Sequence, residues 1–335
     1  MGDLGEQIER LSGPRVLVVG DAVLDEYLFG HPTRLSREAP IPVLEFVRRT
    51  LIPGGAANPA HNIAALEARV TLAAVVGDDA EGRHLVELLH GVGVDPAAVL
   101  VDPARPTTVK TRIVSEGSLR FPQQIARIDR ISREPVQPRI VSSLAGLIAG
   151  YASRIDAILC SDYLSGLLTP DLTGAIRAIC HDHRILLAVD AQGELGKYRG
   201  AGLLRCNNHE AAAFLGTRLE SESDFEQGLE RMLAALEVDL IVVTRGAAGV
   251  SLAGREVRYS HLPAHRVEVA DVTGAGDTFI AVATLALAAD MPAPDAAALA
   301  NAAASLVVRR IGNAVVTPAE LTAAVDGRAR EDADA

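Results

Sequence analysis

At 335 residues, 49% of them apolar, the chain is long enough for one large α/β domain or two modest ones. Its formal charge of −11 argues against nucleic acid as the main partner, since phosphate backbones are held by clustered Lys and Arg. Cys160, Cys180 and Cys206 show no C-x-x-C pairing and read as reduced thiols of a cytosolic protein, and the apolar run 279–289 is too short to cross a bilayer.

Taken in order, residues 1–14 are polar and acidic, unlike a signal peptide, and read as an N-terminal tail. Residues 15–20 (RVLVVG) are a continuous apolar run ending in glycine, the mark of a strand buried on both faces of a parallel sheet. Asp21 and Asp25 follow at its C-terminal end, where open α/β sheets bind ligands, although an aspartate there also serves simply to end a strand. Residues 27–30 and 41–48 read as short strands separated by Pro32, Pro40 and Pro42, better suited to a small flap than to the main sheet. Pro53-Gly54-Gly55-Ala56-Ala57-Asn58 is a glycine turn running into a helix over 59–66, with Asn58 and Asn62 neighbours on one face. Their amides suit ligand hydroxyls or, equally, a helix cap. A strand over 70–77 and an amphipathic helix over 79–90 come next, with Leu85, Leu88 and Leu89 inward. Residues 107–114 and 124–129, turning at Gly117 and Pro122, read as antiparallel strands that join the flap in a small β-sheet lid drawn from about 26–49 and 106–130.

Beyond the lid the alternation becomes regular. Strands are predicted over 156–161, 185–190 and 240–244, with helices over 170–181, from about 208, and over 225–236. A hairpin over 246–252 and 256–261 precedes two alanine-rich helices that end near Ile311, and residues 327–335 read as a charged C-terminal tail. The pattern predicts a mostly parallel, doubly wound sheet flanked by helices, in one domain over 15–326.

The stretch Asp271-Val272-Thr273-Gly274-Ala275-Gly276-Asp277-Thr278 opens the first alanine-rich helix. A helix N-terminus offers unpaired N–H groups and the positive end of its dipole, and Gly274 and Gly276 remove side chains that would hold an anion away. A carboxylate inside that turn repels the anion unless it has work to do, such as taking a proton from a hydroxyl that attacks phosphorus. Asp277 is the candidate base; a plain helix cap is the alternative. Strand ends add Ser161-Asp162, Asp190, Asn207 with Glu210, and Thr244-Arg245-Gly246 along the same edge. That collection fits a polyol held opposite a nucleoside triphosphate, with Asn207 and Glu210 placed to orient Mg²⁺ through water.

These motifs carry a resemblance. The segment 271–278 resembles the C-terminal motif of the ribokinase-like carbohydrate kinases, the phosphofructokinase-B family; residues 53–66 resemble their Gly-Gly-x-x-Asn motif, and Asn207-Asn208-His209-Glu210 their Asn-x-x-Glu. Within it, the stretches 18–25, 35–43, 53–62, 125–129, Ser161-Asp162-Tyr163 and 198–200 are most similar to the kinase half of the bacterial D-glycero-β-D-manno-heptose 7-phosphate kinases. The resemblance implies a ribokinase-like fold and ATP- and Mg²⁺-dependent phosphoryl transfer to a sugar hydroxyl. Asp277 would be the base, with the backbone of Gly274, Ala275 and Gly276 holding developing charge. Asp21, Asp25, Gly54, Gly55, Asn58, Arg127 and Asp162 would hold the sugar. Thr244, Gly246, Asp271 and Asn301 would border the nucleotide, and Asn207 and Glu210 the nucleotide and its metal.

The chain departs from that pattern in three places. Ser165 and Gln192 stand where such relatives carry lysine, and Arg205-Cys206-Asn207 stands where they carry Thr-Pro-Asn. Either those lysines are peripheral, or the substrate lacks a phosphate or the enzyme is weak. Another acceptor, such as fructose, ribose, fructose 6-phosphate or a nucleoside, and a non-catalytic sensor on the same fold are the alternatives. A dinucleotide oxidoreductase fails on the first strand, which ends Gly20-Asp21-Ala22 without G-x-G-x-x-G. Apolar positions on both faces of the flap predict a homodimer formed lid to lid. No His-x-Gly-His turn occurs, so the adenylyltransferase fused to some relatives is expected as a separate protein.

Overall fold

The computed structural model describes residues 4–117 and 122–333. Helix α1 (Leu4–Glu9) leads through a short turn into β1 (Arg15–Gly20). Residues 4–14 are therefore more than the tail expected: Ile8 and Leu11 are buried in the main core. Along β1 the side chains alternate, Val16 and Val18 entering one core and Leu17 and Val19 the other. A strand buried on both faces is what a parallel sheet between helix layers requires.

After Asp21 the chain continues as β2 (Ala22–Leu35) and folds back as β3 (Pro42–Gly55), then enters α2 (Ala57–Ala65). Next come β4 (Arg69–Val76), α3 (Ala80–Gly91), β5 (Asp95–Val101), β6 (Val109–Ser115) and β7 (Gln123–Arg130). The βα alternation follows: α4 (Pro138–Tyr151), β8 (Ala157–Asp162), α5 (Pro170–His183), β9 (Leu186–Ala191), β10 (Leu203–Asn207), α6 (Asn208–Leu215), α7 (Glu222–Leu236) and β11 (Leu240–Thr244). The chain closes with β12 (Val250–Gly254), β13 (Ser260–Leu262), α8 (Ala275–Ala288), α9 (Ala293–Val307) and α10 (Pro318–Ala333). The stretch expected as a tail from residue 327 thus continues a helix through Ala333.

Among the described residues the main sheet has nine strands in the order β13-β12-β11-β10-β9-β8-β1-β4-β5, parallel except at β12 and β13. β1 pairs with β8 on one side and β4 on the other, so chain direction across the sheet reverses there. The crevice at such a switch point, outside the strands' C-terminal ends, is where α/β sheets take ligands. The fold is ribokinase-like.

The second sheet, in the order β3-β2-β6-β7, is the lid. Its strands are longer than the sequence predicts. β2 and β3 pair from Ala22↔Gly55 to Leu35↔Pro42, with register shifts after Phe29 and after Pro32. β6 pairs with β2 only up to Gly30↔Ser115, so Pro32 lies where β2 has one strand neighbour and its missing N–H breaks no ladder. Tyr27, Phe29 and Val114 are buried under the lid, while Leu35, Phe46 and Ile128 are 71%, 70% and 61% exposed.

Candidate active site

Helix α8 is preceded by its N-cap Gly274, whose φ of 79° a side chain would oppose. The turn is crowded: a Cβ on Gly274 would lie 2.9 Å from Asn58 Nδ2, and one on Gly276 would lie 2.6 Å from both terminal nitrogens of Arg205. Glycine is needed here for approach as well as for angle. Asp277, in the first turn, is buried. Asn58 Nδ2 donates to its Oδ2 at 2.7 Å, and the Tyr163 hydroxyl donates to its Oδ1 at 2.8 Å. Burial foremost, and then the Asp190 carboxylate, push the Asp277 carboxyl up to about 7, against the two hydrogen bonds and Arg205, which pull it down. A carboxylate so placed titrates near neutrality, as a proton acceptor for a hydroxyl should. Asn58 is itself fixed, because Asn62 Nδ2 donates to its backbone O at 3.0 Å and its Oδ1 at 3.2 Å, and Thr278 Oγ1 donates to Asn62 Oδ1 at 3.0 Å. The two asparagines thus lock α2 to α8.

On the side facing the lid, Asp25 is buried and accepts from Arg112 of β6 and, at 2.7 Å, from Asn313 Nδ2. A Cβ on Gly54 would lie 2.2 Å from Asp25 Oδ2, so that glycine makes room for the carboxylate, and Gly55 follows it at the end of β3. These residues, with Asn58, form one wall around Asp277. Lys110, next to Arg112 on β6, sits with its ammonium 4.8 Å from the Tyr163 ring centroid.

Three residues expected to hold substrate are committed elsewhere. Asp21 accepts from the backbone N–H groups of Tyr163 and Ser165 at 3.0 Å and of Leu167 at 3.4 Å, pinning the loop after β8. Burial, ahead of those hydrogen bonds, raises its pKa. Asp162 is buried against the Lys197 ammonium and the Tyr198 hydroxyl, each at 2.7 Å, and also accepts from Leu164 N at 2.9 Å. Arg127 lies on β7, exposed and paired with Asp129 at 2.9 Å.

Beyond the turn a cavity of about 890 Å³ runs between the ends of β10 and β11, α8 and α9. Arg205, Asn207, Thr244, Gly246, Gly276 and Asn301 are among its walls. Asn301 donates to Pro263 O at 2.9 Å and so holds the strand edge against α9. Asp271, expected beside the nucleotide, braces the loop before α8: Thr273 N–H and hydroxyl reach its Oδ1, and Gly312 N–H reaches its Oδ2 at 2.9 Å. Asn207 and Glu210 cap α6 reciprocally, Asn207 Oδ1 accepting from Glu210 N at 2.9 Å and Glu210 Oε2 from Asn207 N at 2.6 Å. Asn207 spends its single side-chain oxygen on the cap, accepting also from His209 N at 2.9 Å, whereas Glu210 spends one of its two. Desolvation raises the Glu210 pKa, and both residues border cavity space. Among the described residues no cluster of three His, Cys, Asp or Glu side chains is set to hold a metal directly. Hard oxygens beside open volume fit an ion that keeps most of its own water, as Mg²⁺ does.

Sequence motifs alone do not single out Arg112, Lys110, Asn313, Tyr163 or Arg205 as site residues. Only Tyr163 and Arg205 carry a local signal, as neighbours of Asp162 and Asn207; the others arrive from the lid and from the loop after α9.

Comparison with known proteins agrees with this architecture. The pfkB family carbohydrate kinase profile matches residues 14–320. A protein named bifunctional protein HldE from Geobacter metallireducens is 43% identical over 320 residues, which is 95% of this chain and 64% of that protein. One of the same name from Geotalea uraniireducens is 40% identical over 96% of this chain and 64% of its own length. The chain therefore spans less than two thirds of the relatives it matches. Phosphofructokinase-2 from Escherichia coli superposes with a TM-score of 0.78 at 20% identity, over 94% of this chain and 100% of that one. Ribokinase from Arabidopsis thaliana, solved with ribose and ATP, gives 0.71 at 19% identity, over 93% of this chain and 98% of that one. With a family profile covering nearly its whole length and a matching fold, this chain belongs to the pfkB family of carbohydrate kinases, phosphotransferases that act on an alcohol group.

Proposed function

We propose that this sugar kinase transfers the γ-phosphate of ATP to D-glycero-β-D-manno-heptose 7-phosphate, giving the 1,7-bisphosphate. The observation that carries the reading is Asp277: a buried carboxylate titrating near neutrality, inside a glycine turn at a helix N-terminus, between a polar wall and a large cavity. The acceptor hydroxyl gives its proton to Asp277 as its oxygen bonds to the γ-phosphorus, and the bond from that phosphorus to the bridging oxygen breaks, releasing ADP. Backbone N–H groups of the 274–276 turn meet the charge that develops on the transferred group. Asp25 and Asn58 orient the acceptor; Thr244, Gly246 and Asn301 border the nucleotide. Glu210, with Asn207 beside it, would hold Mg²⁺ through water, and the ion would neutralise phosphate charge.

The heptose acceptor rests on the resemblance of the stretches 18–25, 35–43 and 125–129 to heptose 7-phosphate kinases and on the HldE-named relatives. One observation favours a second acceptor. Ser165 is buried, its N–H held by the Asp21 carboxylate and its carbonyl oxygen by the Arg105 guanidinium, and Gln192 is neutral, so neither side chain itself supplies the positive charge expected there. A sugar without a phosphate is the reading this supports. ADP release with ATP and Mg²⁺ against heptose 7-phosphate, free heptose, fructose, fructose 6-phosphate and ribose decides between them. Turnover confined to heptose 7-phosphate supports the first reading; turnover on an unphosphorylated sugar supports the second. Silence on all, with nucleotide still bound, would leave a sensor.

The lid's exposed Phe46, Leu35 and Ile128 support a homodimer formed through that sheet, each lid covering its own site.

A further inference from the structure

We propose that Arg205 is the group that reads the terminal phosphate of the nucleotide, taking the transferred phosphoryl group on N–H donors that its protein partners leave open. The inference rests on the kinase reading above and adds to it a residue that the sequence offers only as a departure.

Arg205 lies on β10 with Asp190 of β9 as its register partner. Nη1 donates to Asp190 Oδ1 at 2.8 Å and Nη2 to Thr244 Oγ1 at 2.7 Å. Each terminal nitrogen carries a further N–H, and Nε carries one more. Nε is buried with no hydrogen-bond partner among the described residues. A buried donor left unmade costs free energy, and it is tolerated where something absent from the resting protein completes it. The guanidinium lies against the 274–276 turn: a Cβ on Gly276 would meet both of its terminal nitrogens at 2.6 Å and would force the arginine to swing away. It also lines the cavity that ends at that turn. An anion brought to the turn meets Arg205 and the helix N-terminus together.

Charge accounting gives the same answer. Asp190 pairs with the Arg205 guanidinium at 2.8 Å, and a guanidinium keeps its charge in a protein interior. The Asp277 and Asp190 carboxylates repel a phosphate at the turn unless a cation faces it, and of the two arginines lining the cavity, Arg205 and Arg266, it is Arg205 that meets Gly276. The chain's two lysines do not fill the need: Lys197 is bound to Asp162 and Glu194, and Lys110 stands over the Tyr163 ring on the lid side. Gln192, one position beyond β9, borders a neighbouring cavity and carries no charge. Arg205, one strand over, brings a fork suited to phosphate oxygens. A residue that merely tied β9 to β10 would need neither the bare Gly276 nor the approach to the cavity.

The test is calorimetric binding of ATP and of ADP, each with Mg²⁺, to the wild-type chain, Arg205→Gln, Arg205→Lys and Gly276→Ala, with thermal unfolding of each. Arg205→Gln is expected to weaken ATP at least about tenfold, the loss of a charge-assisted contact, while ADP changes less than about threefold. Arg205→Lys should recover part of the ATP affinity. Gly276→Ala, which crowds both the guanidinium and the phosphate, should also weaken ATP more than ADP, and Arg205→Lys, which keeps the charge, covers the case in which Arg205→Gln does not fold. Equal losses for ATP and ADP, or unchanged affinities with a lowered melting temperature, would overturn the inference while the kinase reading stands. A wild-type chain that binds neither nucleotide would overturn both.

Discussion

The Asp277 carboxylate is caught between opposing influences, and the balance sets how the enzyme should respond to pH. Burial and Asp190 hold the proton on; Asn58, Tyr163 and Arg205 favour its release. Activity needs the ionised form, so kcat/KM should fall on the acid side of a limb near about 7. Tyr163→Phe removes a donor to the carboxylate, so that limb should move to higher pH with little loss of rate on the alkaline plateau; an unmoved limb would show that the hydroxyl does not govern the base. The same residue has a stability consequence of opposite sign. A carboxyl raised from 3.8 to about 7 on folding stabilises the native state below its unfolded pKa, and that contribution is lost as pH rises through about 7. Asp277→Asn should therefore abolish turnover, by about a thousandfold or more, yet raise the melting temperature most at alkaline pH. Melting curves of both proteins across pH check this. The motif made Asp277 readable because a carboxylate inside a glycine turn is locally odd. Its partners were less readable, since Asn58 and Tyr163 reach it across more than a hundred residues of chain.

Elements were legible where a single period ran unbroken. β11 lies where the apolar run predicts it, over Leu240–Thr244, and α7 differs only in gaining a first turn from the Ser221–Asp224 capping box. β5 and α4 have no counterpart in the sequence reading, because each opens at or beside a proline that reads as punctuation; Pro138 in fact occupies the first turn of α4, where no N–H is needed. The lid strands were read short for the same reason. Acidic residues are harder to sort: Asp21, Asp162 and Asp271 stand at strand or loop ends as ligand groups do, and in this structure each meets backbone N–H groups or a lysine and a tyrosine. The lid carries its own prediction. Phe46→Glu with Ile128→Glu places charge on its exposed apolar surface, away from Asp25, and should convert a lid-to-lid dimer to monomer by light scattering. An unaltered mass for the variant, with wild type dimeric, would place the interface elsewhere.

At the scale of the molecule, the two cores on either side of the sheet hold the strand ends in register, and the site is assembled at the edge where β1 meets β8. The first helix belongs to that frame. Deleting residues 1–12 removes buried Ile8 and Leu11 and should cost about 2–5 kcal/mol, seen as a lower denaturation midpoint, without changing which sugar is accepted. No helix among the described residues is long and apolar enough to cross a membrane. The join between frame and lid has a mechanical meaning. β1 passes into β2 through Asp21 alone, and β3 returns to the same point, where Ala56 donates its N–H to Asp21 O at 2.9 Å. The long β2–β3 ribbon is thus hinged close to Asp21, which the backbone of 163–167 clamps from the other side, while Asn313 ties Asp25 and Pro53 at the ribbon's base to the loop after α9. Swinging it changes access to the acceptor wall while the distances around Asp277 to Asn58 stay with the frame. Loosening the hinge by Asp21→Ala should therefore raise ATP hydrolysis without acceptor relative to transfer, because the ribbon would no longer bear firmly on the wall it covers.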